Sequence, residues 1–434
     1  MLISPQSTRP SLRSKQDQTT NTCRRSYQLN QNIPRSISIK KQITERNQLP
    51  FILVTGATGY IGSHVILELL RTKKYQIIAI DNLSNSSLSS ILKIKSLCKE
   101  ESNLLRFHQI DLRDQTSLLN LFKFYRKKSI PTQTHDHHHH YLNSNQNVIH
   151  QSLIQHVIHF AALKSVSTSH LEPENYYQTN VIGTETLIKI MKSESIQSLI
   201  FSSSAVVYGK RLNHQVLKES DCLIDPIKGA NEENHQRVMS PYGYSKLRCE
   251  EIVHSATLDG KLKAVILRYS NPSGNDPSGL IGDSPKQPEN LIPIVCEVLT
   301  GKRDHLCIYG DKFNTQDGTG VRDFIHVQDL AKGHLAALHS LEQQNQHKFK
   351  EDCRTYNLST GKGTSVKEVI NCLEIISGFK IKTIIKPPRL GDLDKVICDS
   401  NKAFRELNWK SEKTIFDMAR DMWTFCLKNP NGLN

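Results

Sequence analysis

Two side chains four residues apart, Tyr242 and Lys246, could form an acid–base pair. They open a helical pattern over 242–258, in which residues one turn apart share a face. A phenol has an ordinary pKa near ~10 and is a poor base at neutral pH. A neighbouring ammonium group, together with a cationic ring bound close by, favours the phenolate and lowers that pKa. The spacing therefore indicates a general base, although such a pair also occurs as plain surface residues.

A row of hydroxyl side chains is the second feature suited to chemistry. Serines occupy positions 202, 203 and 204 at the end of the apolar run 199–202. If that run is a parallel strand, the hydroxyls lie at its carboxyl end, where ligands bind in open α/β sheets. Ser204 could then hydrogen-bond a reacting hydroxyl beside Tyr242, whereas Ser202 and Ser203 fit a simple turn at the strand end.

The elements that must position these residues begin with a glycine-rich turn at Gly56, Gly59 and Gly62. The turn follows the short apolar run 51–55 and opens a helical pattern over 63–71. Glycines at this spacing let the main chain turn tightly and approach a pyrophosphate, which lies at the positive N-terminus of the helix. The pattern therefore predicts a dinucleotide site.

Asp81 indicates which dinucleotide binds there. It follows the second apolar run, 76–80, and comes nineteen residues after Gly62. A carboxylate at this place bonds both hydroxyls of an adenosine ribose and repels a 2′-phosphate. We therefore expect NAD as the cofactor in preference to NADP.

The alternation of apolar runs with helical patterns gives the fold class. Strand-like runs at 51–55, 76–80, 157–160, 199–202 and 264–268 are separated by helical segments. Such alternation is typical of a parallel sheet with helices on both faces. We therefore expect an α/β fold with a Rossmann-type, doubly wound parallel sheet.

Length and charge limit the classes of function. The chain has 434 residues, enough for two or three domains, and a net charge of +14. Residues 1–49 hold nine Lys and Arg against two acidic residues, so half of the excess lies in one polar tail that we expect to be disordered. The remainder has no basic block with interleaved aromatic residues and no apolar stretch of membrane-spanning length. We expect neither nucleic acid nor a membrane as a partner.

Two polar segments interrupt the pattern. A low-complexity insertion near 133–151 contains the run HDHHHH, and 229–239 is polar as well. A His run can bind metal, but without partner ligands at a defined spacing a solvated loop is favoured. We therefore expect two surface loops and no metal site.

The cysteines and the tail bear on the compartment. None of the ten cysteines forms a CxxC pair, which favours free thiols in a reducing compartment, and we expect a cytoplasmic protein. The tail 1–49 is rich in Arg and Ser and poor in acids, so a transit peptide stays open as an alternative, although no clear amphipathic stripe is present.

From Phe51 onwards the chain resembles the extended short-chain dehydrogenase/reductases, and most closely the UDP-glucose 4-epimerases. The matching segments are GATGYIGSH (56–64), DNLSNS (81–86), HFAALKSV (159–166), FSSSAVVYG (201–209), SPYGYSK (240–246), NPSGNDPSGLIGDSP (271–285), DGTGVRDFIHVQDLA (317–331) and PRLGDL (388–393). The first and fifth are shared by the whole superfamily, whereas the last three are more specific to the epimerases. The resemblance implies reversible NAD-dependent 4-epimerisation of UDP-glucose and UDP-galactose through a 4-keto sugar, in galactose metabolism, by a homodimer.

The resemblance also implies roles for individual residues. Tyr242 would take the proton from the sugar 4-OH, Lys246 would order the nicotinamide ribose, and Ser204 would bond the reacting hydroxyl. The residues implied to line NAD are Gly56, Gly59, Tyr60, Ile61, Gly62, Asp81, Asn82, Asp111, Leu112, Phe160, Ala161, Ala162, Leu163, Lys164, Thr179 and Ser270. Those implied to hold the UDP-sugar are Asn271, Asn290, Arg322, Arg389, Asp392 and Val396.

The same resemblance suggests a division of the chain. An NAD-binding domain would cover 50–270, and a smaller α/β domain for the UDP-sugar would cover 271–434, with some chain crossing back to the first domain. This division follows from the order of the motifs, because the NAD motifs precede 250 and the UDP-sugar motifs follow 270.

Three positions are informative because they vary from the family pattern. The epimerases usually have Asn where this chain has Thr179, and Phe where it has Ser270. Val396 lies where some members carry Tyr and others a small residue. A small residue there predicts a roomier sugar pocket, so we expect UDP-N-acetylhexosamines as further substrates.

Two alternative functions stay open at this point. The first is another NAD-dependent nucleotide-sugar epimerase or dehydratase of the same superfamily. A 4,6-dehydratase normally has Asp-Glu directly after the strand-end hydroxyl residue, where this chain has Ala205 and Val206, which cannot move protons. A non-catalytic NAD-binding sensor on this fold would be expected to lack the Tyr and Lys pair, which this chain keeps.

Overall fold

A sheet of seven parallel strands forms the centre of the structure, which confirms the predicted fold class. In this computed structural model the described residues are 49–127, 151–210, 216–286, 288–343, 351–389 and 391–433. The tail 1–48 and the His-rich run lie outside these ranges, so the expectations for them stay predictions. Residues Leu49–Asn434 group into one compact unit.

The strands are numbered along the chain. They are β1 (Phe51–Thr55), β2 (Gln76–Asp81), β3 (Leu105–Gln109), β4 (Ile154–His159), β5 (Ser198–Ser202), β6 (Ile224–Asp225), β7 (Gly229–Ala230), β8 (Lys263–Arg268), β9 (Pro272–Ser273), β10 (Leu306–Tyr309), β11 (Val321–Asp323), β12 (Ile325–His326), β13 (Cys353–Asn357), β14 (Gly363–Ser365), β15 (Thr383–Lys386) and β16 (Lys395–Val396). The central sheet has the order β13-β8-β5-β4-β1-β2-β3, and all neighbours in it are parallel.

The strand order reverses at β1, which lies between β2 and β4. All residues of β1 and β2 are buried, as expected for runs of Ile, Leu and Val that are covered on both faces. At the carboxyl end of β1, Thr55 is in register with Ile80 on one side and His159 on the other. Ligands of doubly wound sheets bind in the crevice at this reversal.

The helices cover the sheet and build the C-terminal part. They are α1 (Tyr60–Thr72), α2 (Ser89–Leu97), α3 (Gln115–Phe124), α4 (Val166–Leu171), α5 (Pro173–Tyr176), α6 (Gly183–Ser193), α7 (Glu232–Arg237), α8 (Pro241–Ala256), α9 (Leu291–Leu299), α10 (Val327–Glu342), α11 (Val366–Ser377), α12 (Asn401–Leu407) and α13 (Ile415–Lys428). A π-helical turn, Tyr177–Ile182, joins α5 to α6.

Local sequence signals explain where several of these helices begin. The Asp114 side chain accepts a hydrogen bond from the main-chain N–H of Ser117 at the start of α3. Ser365 with Glu368 at α11, and Thr414 with Asp417 at α13, form capping boxes. In each case the side chains satisfy N–H groups that have no partner within the helix.

The C-terminal part of the chain returns to the central sheet. β13 pairs with β8, and α10 packs against α1, so that Leu330 and Leu338 share one core with Val65 and Leu69. A second core joins α9, α11 and α13. The domain boundary near 270 stays a prediction, although the return of β13 fits the expected crossing of the chain.

The expectation of a loop over 229–239 is wrong. The segment forms β7 and the short helix α7. Asn231 precedes α7, and its side chain accepts a hydrogen bond of 2.8 Å from the main-chain N–H of Asn234. Glu232 and Glu233 lie in the first turn, where their negative charges stabilise the positive end of the helix. Because the segment is polar throughout, it has no apolar period that would indicate a helix.

The cysteines, the metal-ligating side chains and the helix lengths of the described residues bear on the expectations above. The cysteines among them are all free thiols. No group of three or more His, Cys, Asp or Glu side chains in these ranges could hold a metal ion. None of the helices placed there has the length and apolar character needed to cross a bilayer.

Candidate active site

Helix α8 begins at a serine and a proline, and this start positions Tyr242. The hydroxyl of Ser240 accepts a hydrogen bond of 3.1 Å from the main-chain N–H of Gly243. Pro241 follows at the first helical position, where its missing N–H costs no hydrogen bond. Tyr242 is therefore fixed in the first turn of α8, and its side chain is buried.

Tyr242 and Ser204 lie close together, as the sequence predicts for a reacting pair. The hydroxyl of Ser204 lies near enough to the phenol of Tyr242 to favour its ionisation, and the ring of Tyr176 lies edge-on at 6.4 Å between centroids. Burial raises the pKa of Tyr242 to about 12 and outweighs the opposing effect of the Ser204 hydroxyl. This arrangement keeps the phenol protonated within the polypeptide itself.

Lys246 lies one turn further along α8, also buried. Its ammonium group donates a hydrogen bond of 2.8 Å to the main-chain carbonyl of Ser202 and lies 5.0 Å from the ring centroid of Phe201. Burial lowers the pKa of Lys246 to about 8. The expected lowering of the Tyr242 pKa by Lys246 is therefore not seen in the polypeptide alone, because burial outweighs the other influences and the ammonium group is directed at Ser202.

The three serines of the strand end have three different partners. The hydroxyl of Ser202 pairs with that of Tyr269, and the hydroxyl of Ser203 donates to the carboxylate of Glu250, while Ser204 lies beside Tyr242. Glu250 gave no signal in the sequence beyond its position four residues after Lys246. The serine run is thus a fixed part of the site and not a loose turn.

The glycine turn fits a pyrophosphate closely. Gly56 has φ = 64°, and a Cβ atom placed on it would lie 2.6 Å from the main-chain nitrogen of Ala161. A Cβ on Gly62 would lie 2.3 Å from the carbonyl oxygen of Gly56, so both positions need glycine. The Gly59 residue before α1 has no side chain with which to cap the helix, so the first N–H groups of Tyr60 and Ile61 are available to an anion.

Asp81 lies where an adenosine ribose would be held. Its carboxylate accepts hydrogen bonds from the main-chain N–H groups of Thr58 (3.2 Å) and Leu83 (2.8 Å), and from the hydroxyl of Ser86 (3.2 Å). The side chain therefore links the glycine turn to the loop after β2. This position supports NAD as the cofactor that the residues present would fit.

The next strand end supplies a second polar group at this edge. The amide of Asn82 donates to the Asp111 carboxylate at 2.9 Å, and Arg113 hydrogen bonds hold the pKa of Asp111 well below its usual range. Leu112, the residue after Asp111, is buried next to Gly183 of α6. The predicted Asn82, Asp111 and Leu112 are therefore brought together next to Asp81.

The segment 160–164 follows β4 and passes over the glycine turn. Phe160 packs against the ring of His334, and the N–H of Ala161 donates to the Thr55 hydroxyl at 3.2 Å. Ala162 and Leu163 continue the segment half-buried, and Lys164 is exposed. The predicted cofactor residues that follow β1 and β4, Gly56 and Ala161, therefore lie against each other.

Asn180 was missed by the sequence analysis. Its buried side-chain amide accepts from the N–H of Leu163 at 2.8 Å, and donates to the Leu163 carbonyl (3.0 Å) and to the Ser245 hydroxyl (2.9 Å). Asn180 thus fastens the segment 160–164 to α8, within the π-helical turn. The neighbouring Thr179 instead hydrogen-bonds Asn175 on the outer side, at 3.3 Å.

Ser270 lies between the catalytic strand ends and the C-terminal part. Its hydroxyl donates to the Asp323 carbonyl at 3.1 Å, and the amide of Asn271 reaches the same carbonyl at 3.4 Å. Asn271 has φ = 42°, a left-handed conformation that Asn tolerates better than most residues. The two residues join the end of β8 to β11, which carries Arg322.

Arg322 and Arg389 lie close enough to influence each other. One Arg322 nitrogen donates to the carbonyls of Val321 (2.9 Å) and Leu393 (2.8 Å), and another lies 3.6 Å from the Asp392 carboxylate. Burial lowers the pKa of Arg322, and the charge of Arg389 lowers it further, while Asp392 and Asp394 raise it. Two neighbouring guanidinium groups suit the oxygens of a diphosphate.

Tyr309 is another residue without a signal in the sequence. The Arg389 guanidinium stacks on the Tyr309 ring, 4.0 Å from its centroid. The Asp392 carboxylate accepts a hydrogen bond of 3.3 Å from the main-chain N–H of Arg389. Tyr309 ends β10 and is partly exposed, so it fixes the direction of an otherwise exposed arginine.

Val396 lies on the strand β16, beside the strand that carries Arg322. β16 pairs with β11, so that Val396 is in register with Arg322, and Val396 packs on a core that contains Ala205 and Val207. Asn290 stands apart from this group as the exposed residue before α9. The structure therefore brings Val396 and Arg322 to the β5 end of the site, while Asn290 has no contact with them that would define its role.

Comparisons with known proteins agree with this geometry. Residues 131–358 match the model of the NAD dependent epimerase/dehydratase family, and 53–132 match that of GDP-mannose 4,6 dehydratase. UDP-glucose 4-epimerase 2 of Arabidopsis thaliana is 41% identical over 387 residues, which are 88% of this chain and 97% of that protein.

Solved structures give the same result. The UDP-glucose 4-epimerase of Bifidobacterium longum, in complex with NAD+ and UDP, is 38% identical with a TM-score of 0.72, and covers 88% of this chain and 99% of its own. The UDP-Glc/GlcNAc 4-epimerase of Campylobacter jejuni is 30% identical with a TM-score of 0.65, and covers 87% and 99%. With Tyr242 and Ser204 side by side at the carboxyl end of β5 in a Rossmann-type sheet, these matches show that the chain belongs to the UDP-glucose 4-epimerase family.

Proposed function

We propose that this protein interconverts UDP-glucose and UDP-galactose by NAD-dependent epimerisation at C4, with Tyr242 as the acid–base group. The observation that carries the proposal is the buried phenol of Tyr242 beside the buried hydroxyl of Ser204 at the carboxyl end of β5. A sugar hydroxyl that reaches this pair has a proton acceptor and a hydrogen-bond partner on the same side.

NAD, when bound, would accept a hydride from C4, return it to the opposite face of C4 once the sugar has turned, and supply a positive ring charge that favours the Tyr242 phenolate. Tyr242 would take the proton of the 4-OH, and Ser204 would hold the oxygen from which that proton leaves. After the 4-keto sugar has turned about its diphosphate link, Tyr242 would return the proton to the same oxygen as C4 regains its hydride. The proton balance at Tyr242 is restored in each cycle.

The diphosphate must stay held while the sugar turns. Arg322 and Arg389 are suited to this because Arg322 is fixed by two main-chain carbonyls and Arg389 by the Tyr309 ring. A guanidinium group that is already oriented loses little conformational freedom when it binds phosphate oxygens.

We include UDP-N-acetylhexosamines among the substrates. Val396, in register with Arg322 and packed beside Ala205, has a smaller side chain than the Tyr of some family members. An N-acetyl group at C2 needs such room while the sugar turns.

A dehydratase activity is not supported. Ala205 and Val206 follow Ser204 in a turn of 3-10 helix, and Ala205 is buried in an apolar core. Neither side chain could expel a C6 hydroxyl.

We also propose a homodimer that forms around α5 and the start of α8. Leu171 is 82% exposed, and Tyr177 and Tyr244 are exposed as well. The two tyrosines line a cleft together with Pro173 and Pro241. Exposed aromatic and aliphatic side chains in one place favour a protein interface, and a second copy of the chain is the occupant we propose. Light scattering should give twice the mass of one 49.3-kDa chain for the wild type and one chain for Leu171→Asp with Tyr177→Asp; an unchanged mass of the variant would contradict this surface.

We place this activity in the cytoplasm, as part of galactose metabolism. The free thiols of the described cysteines are consistent with a reducing compartment. Fractionation with an antibody to the full chain tests the compartment, and recovery of the protein in mitochondria would favour the transit-peptide alternative for the tail.

The activity itself is tested by incubating purified protein with UDP-galactose, without added NAD or NADH. Epimerisation involves no net redox change, so UDP-glucose should accumulate to equilibrium with the cofactor retained. A non-catalytic NAD-binding protein would give no product, and a dehydratase would give a stable keto sugar.

A further inference from the structure

Glu250 forms a buried hydrogen-bonded pair with Arg268 next to the catalytic hydroxyls. The carboxylate accepts from the Arg268 Nε at 3.0 Å and from Nη2 at 2.5 Å, and neither side chain is more than 1% exposed. A second donor, the hydroxyl of Ser203, also reaches the Glu250 carboxylate. Ser203 is the residue directly before Ser204.

The position of Glu250 in α8 relates it to the catalytic pair. Tyr242, Lys246 and Glu250 are spaced four residues apart, so they follow one another along a single face of α8. That face makes two hydrogen bonds to the serine run, from the Lys246 ammonium group to the Ser202 carbonyl and from the Ser203 hydroxyl to the Glu250 carboxylate. These two bonds fix the register between α8 and the end of β5, and they place Tyr242 beside the Ser204 hydroxyl.

Arg268 connects the same carboxylate to the neighbouring elements. It is the last residue of β8, and its Nη2 also donates to the carbonyl of Cys222 at 2.9 Å. Its guanidinium lies over the Tyr208 ring, 4.9 Å from the centroid, in the segment that follows Ser204. The positive charge is thus held by the structure on several sides and balances the carboxylate of Glu250.

We propose that Glu250, held by Arg268, is a positioning residue that sets the distance between Ser204 and Tyr242 through the hydroxyl of Ser203. This inference rests on the proposed acid–base role of Tyr242. Glu250 does not touch the phenol in the described contacts; it acts by fixing the residue before Ser204. A small displacement of a hydroxyl from its reacting partner is enough to slow catalysis strongly, because the reactive geometry is narrow.

The most direct test is Ser203→Ala, which removes the contact with Glu250 and leaves the Glu250–Arg268 pair in place. We expect kcat to fall about 10- to 100-fold, as for a displacement of a reacting group by roughly 1 Å, with KM for UDP-galactose and the bound NAD unchanged. Ser340→Ala is the matched control. Ser340 is a buried serine in α10 whose hydroxyl donates to the Ala337 carbonyl at 2.7 Å, so it loses a similar hydrogen bond away from the site.

A pH profile separates positioning from a general loss of structure. The hydroxyl of Ser204 beside the phenol favours ionisation of Tyr242, so its displacement should move the limb of the kcat profile that rises with pH to higher pH in Ser203→Ala. In Ser340→Ala the limb should stay in place. A Ser203→Ala enzyme with wild-type kcat and an unmoved limb would overturn the proposal.

Glu250→Gln provides the second arm. It should lower kcat in the wild-type background and have little further effect in the Ser203→Ala background, because both changes break the same link; full additivity would overturn the proposal. Glu250→Gln leaves Arg268 without its anion and could prevent folding. In that case the pH profile of kcat for Ser203→Ala tests the proposal alone. An active Tyr242→Phe would instead contradict the proposed function, and an inactive Tyr242→Phe with a normal Ser203→Ala would contradict only this inference.

Discussion

The ammonium group of Lys246 donates a hydrogen bond of 2.8 Å to the main-chain carbonyl of Ser202, inside the protein and next to the catalytic hydroxyls. A buried cation without a carboxylate partner is unfavourable, and burial accordingly lowers the pKa of Lys246 to about 8. The buried charge of Lys246 is therefore held at a cost to the stability of the fold.

Lys246→Met should change how stability depends on pH. Between pH 8 and the ordinary Lys pKa near ~10.5, the unfolded chain binds a proton at Lys246 that the folded chain does not. The free energy of unfolding of the wild type therefore rises with pH in this window, and this gain is lost as the pH falls through 8. In the variant the slope of the unfolding free energy should be smaller by ~1.4 kcal/mol per pH unit. Urea unfolding of cofactor-free protein at pH 8, 9 and 10 measures it.

Lys192→Met is the control for that comparison. Lys192 pairs with Asp259 at 3.0 Å and is partly exposed, so this variant measures the general effect of a Lys-to-Met change outside the site. Equal slopes in the wild type and Lys246→Met would show that Lys246 does not titrate in this window.

Asp81→Asn should weaken NAD and reduce the preference against NADP. The change removes the charge that holds the ribose hydroxyls, and charged hydrogen bonds contribute on the order of 1.5–3 kcal/mol, so we expect a fall in NAD affinity of about 10- to 100-fold. Isothermal titration with both cofactors is the measurement. Ser86→Ala separates the effects, because it removes the 3.2 Å hydrogen bond to Asp81 and keeps the carboxylate. Equal wild-type affinity for both cofactors would refute the assignment.

Val396→Tyr should remove the N-acetyl activity selectively. One methylene in a steric pocket contributes roughly 1–3 kcal/mol to discrimination, and a Tyr side chain adds several carbons. The measurement is the ratio of kcat/KM for UDP-N-acetylgalactosamine to that for UDP-galactose, with Val396→Ala as a control that should keep or raise the ratio. The role of Val396 would be refuted by an undetectable N-acetyl reaction in the wild type or by a ratio that Tyr leaves unchanged.

The fold and much of the site could be predicted from the sequence because their signals are local. The glycine turn at Gly56 lies directly between a strand and a helix, and Asp81 lies at the end of the next strand, so neighbouring residues are sufficient to identify them. The Tyr242 and Lys246 pair is likewise one helical turn. Where only the spacing within one element matters, the pattern is enough.

The parts that could not be predicted depend on contacts between distant segments. Asn180 gains its role from Leu163 and Ser245, which are 17 and 65 residues away, and Glu250 from Ser203, 47 residues away. The raised pKa of Tyr242 in the polypeptide alone could not be predicted either, because burial is a property of the packed fold and not of the spacing between Tyr242 and Lys246.

The central claim, that Tyr242 moves the proton of the sugar 4-OH, is tested most directly by Tyr242→Phe. The substitution removes the phenol oxygen and keeps the ring that packs near Tyr176, so fold and bound NAD should be unchanged. We predict that kcat for conversion of UDP-galactose to UDP-glucose falls by ~10²–10⁴-fold, the usual contribution of an acid–base group, in protein with wild-type NAD content. A variant with near-wild-type kcat would contradict the account, because another group would then have to be the base.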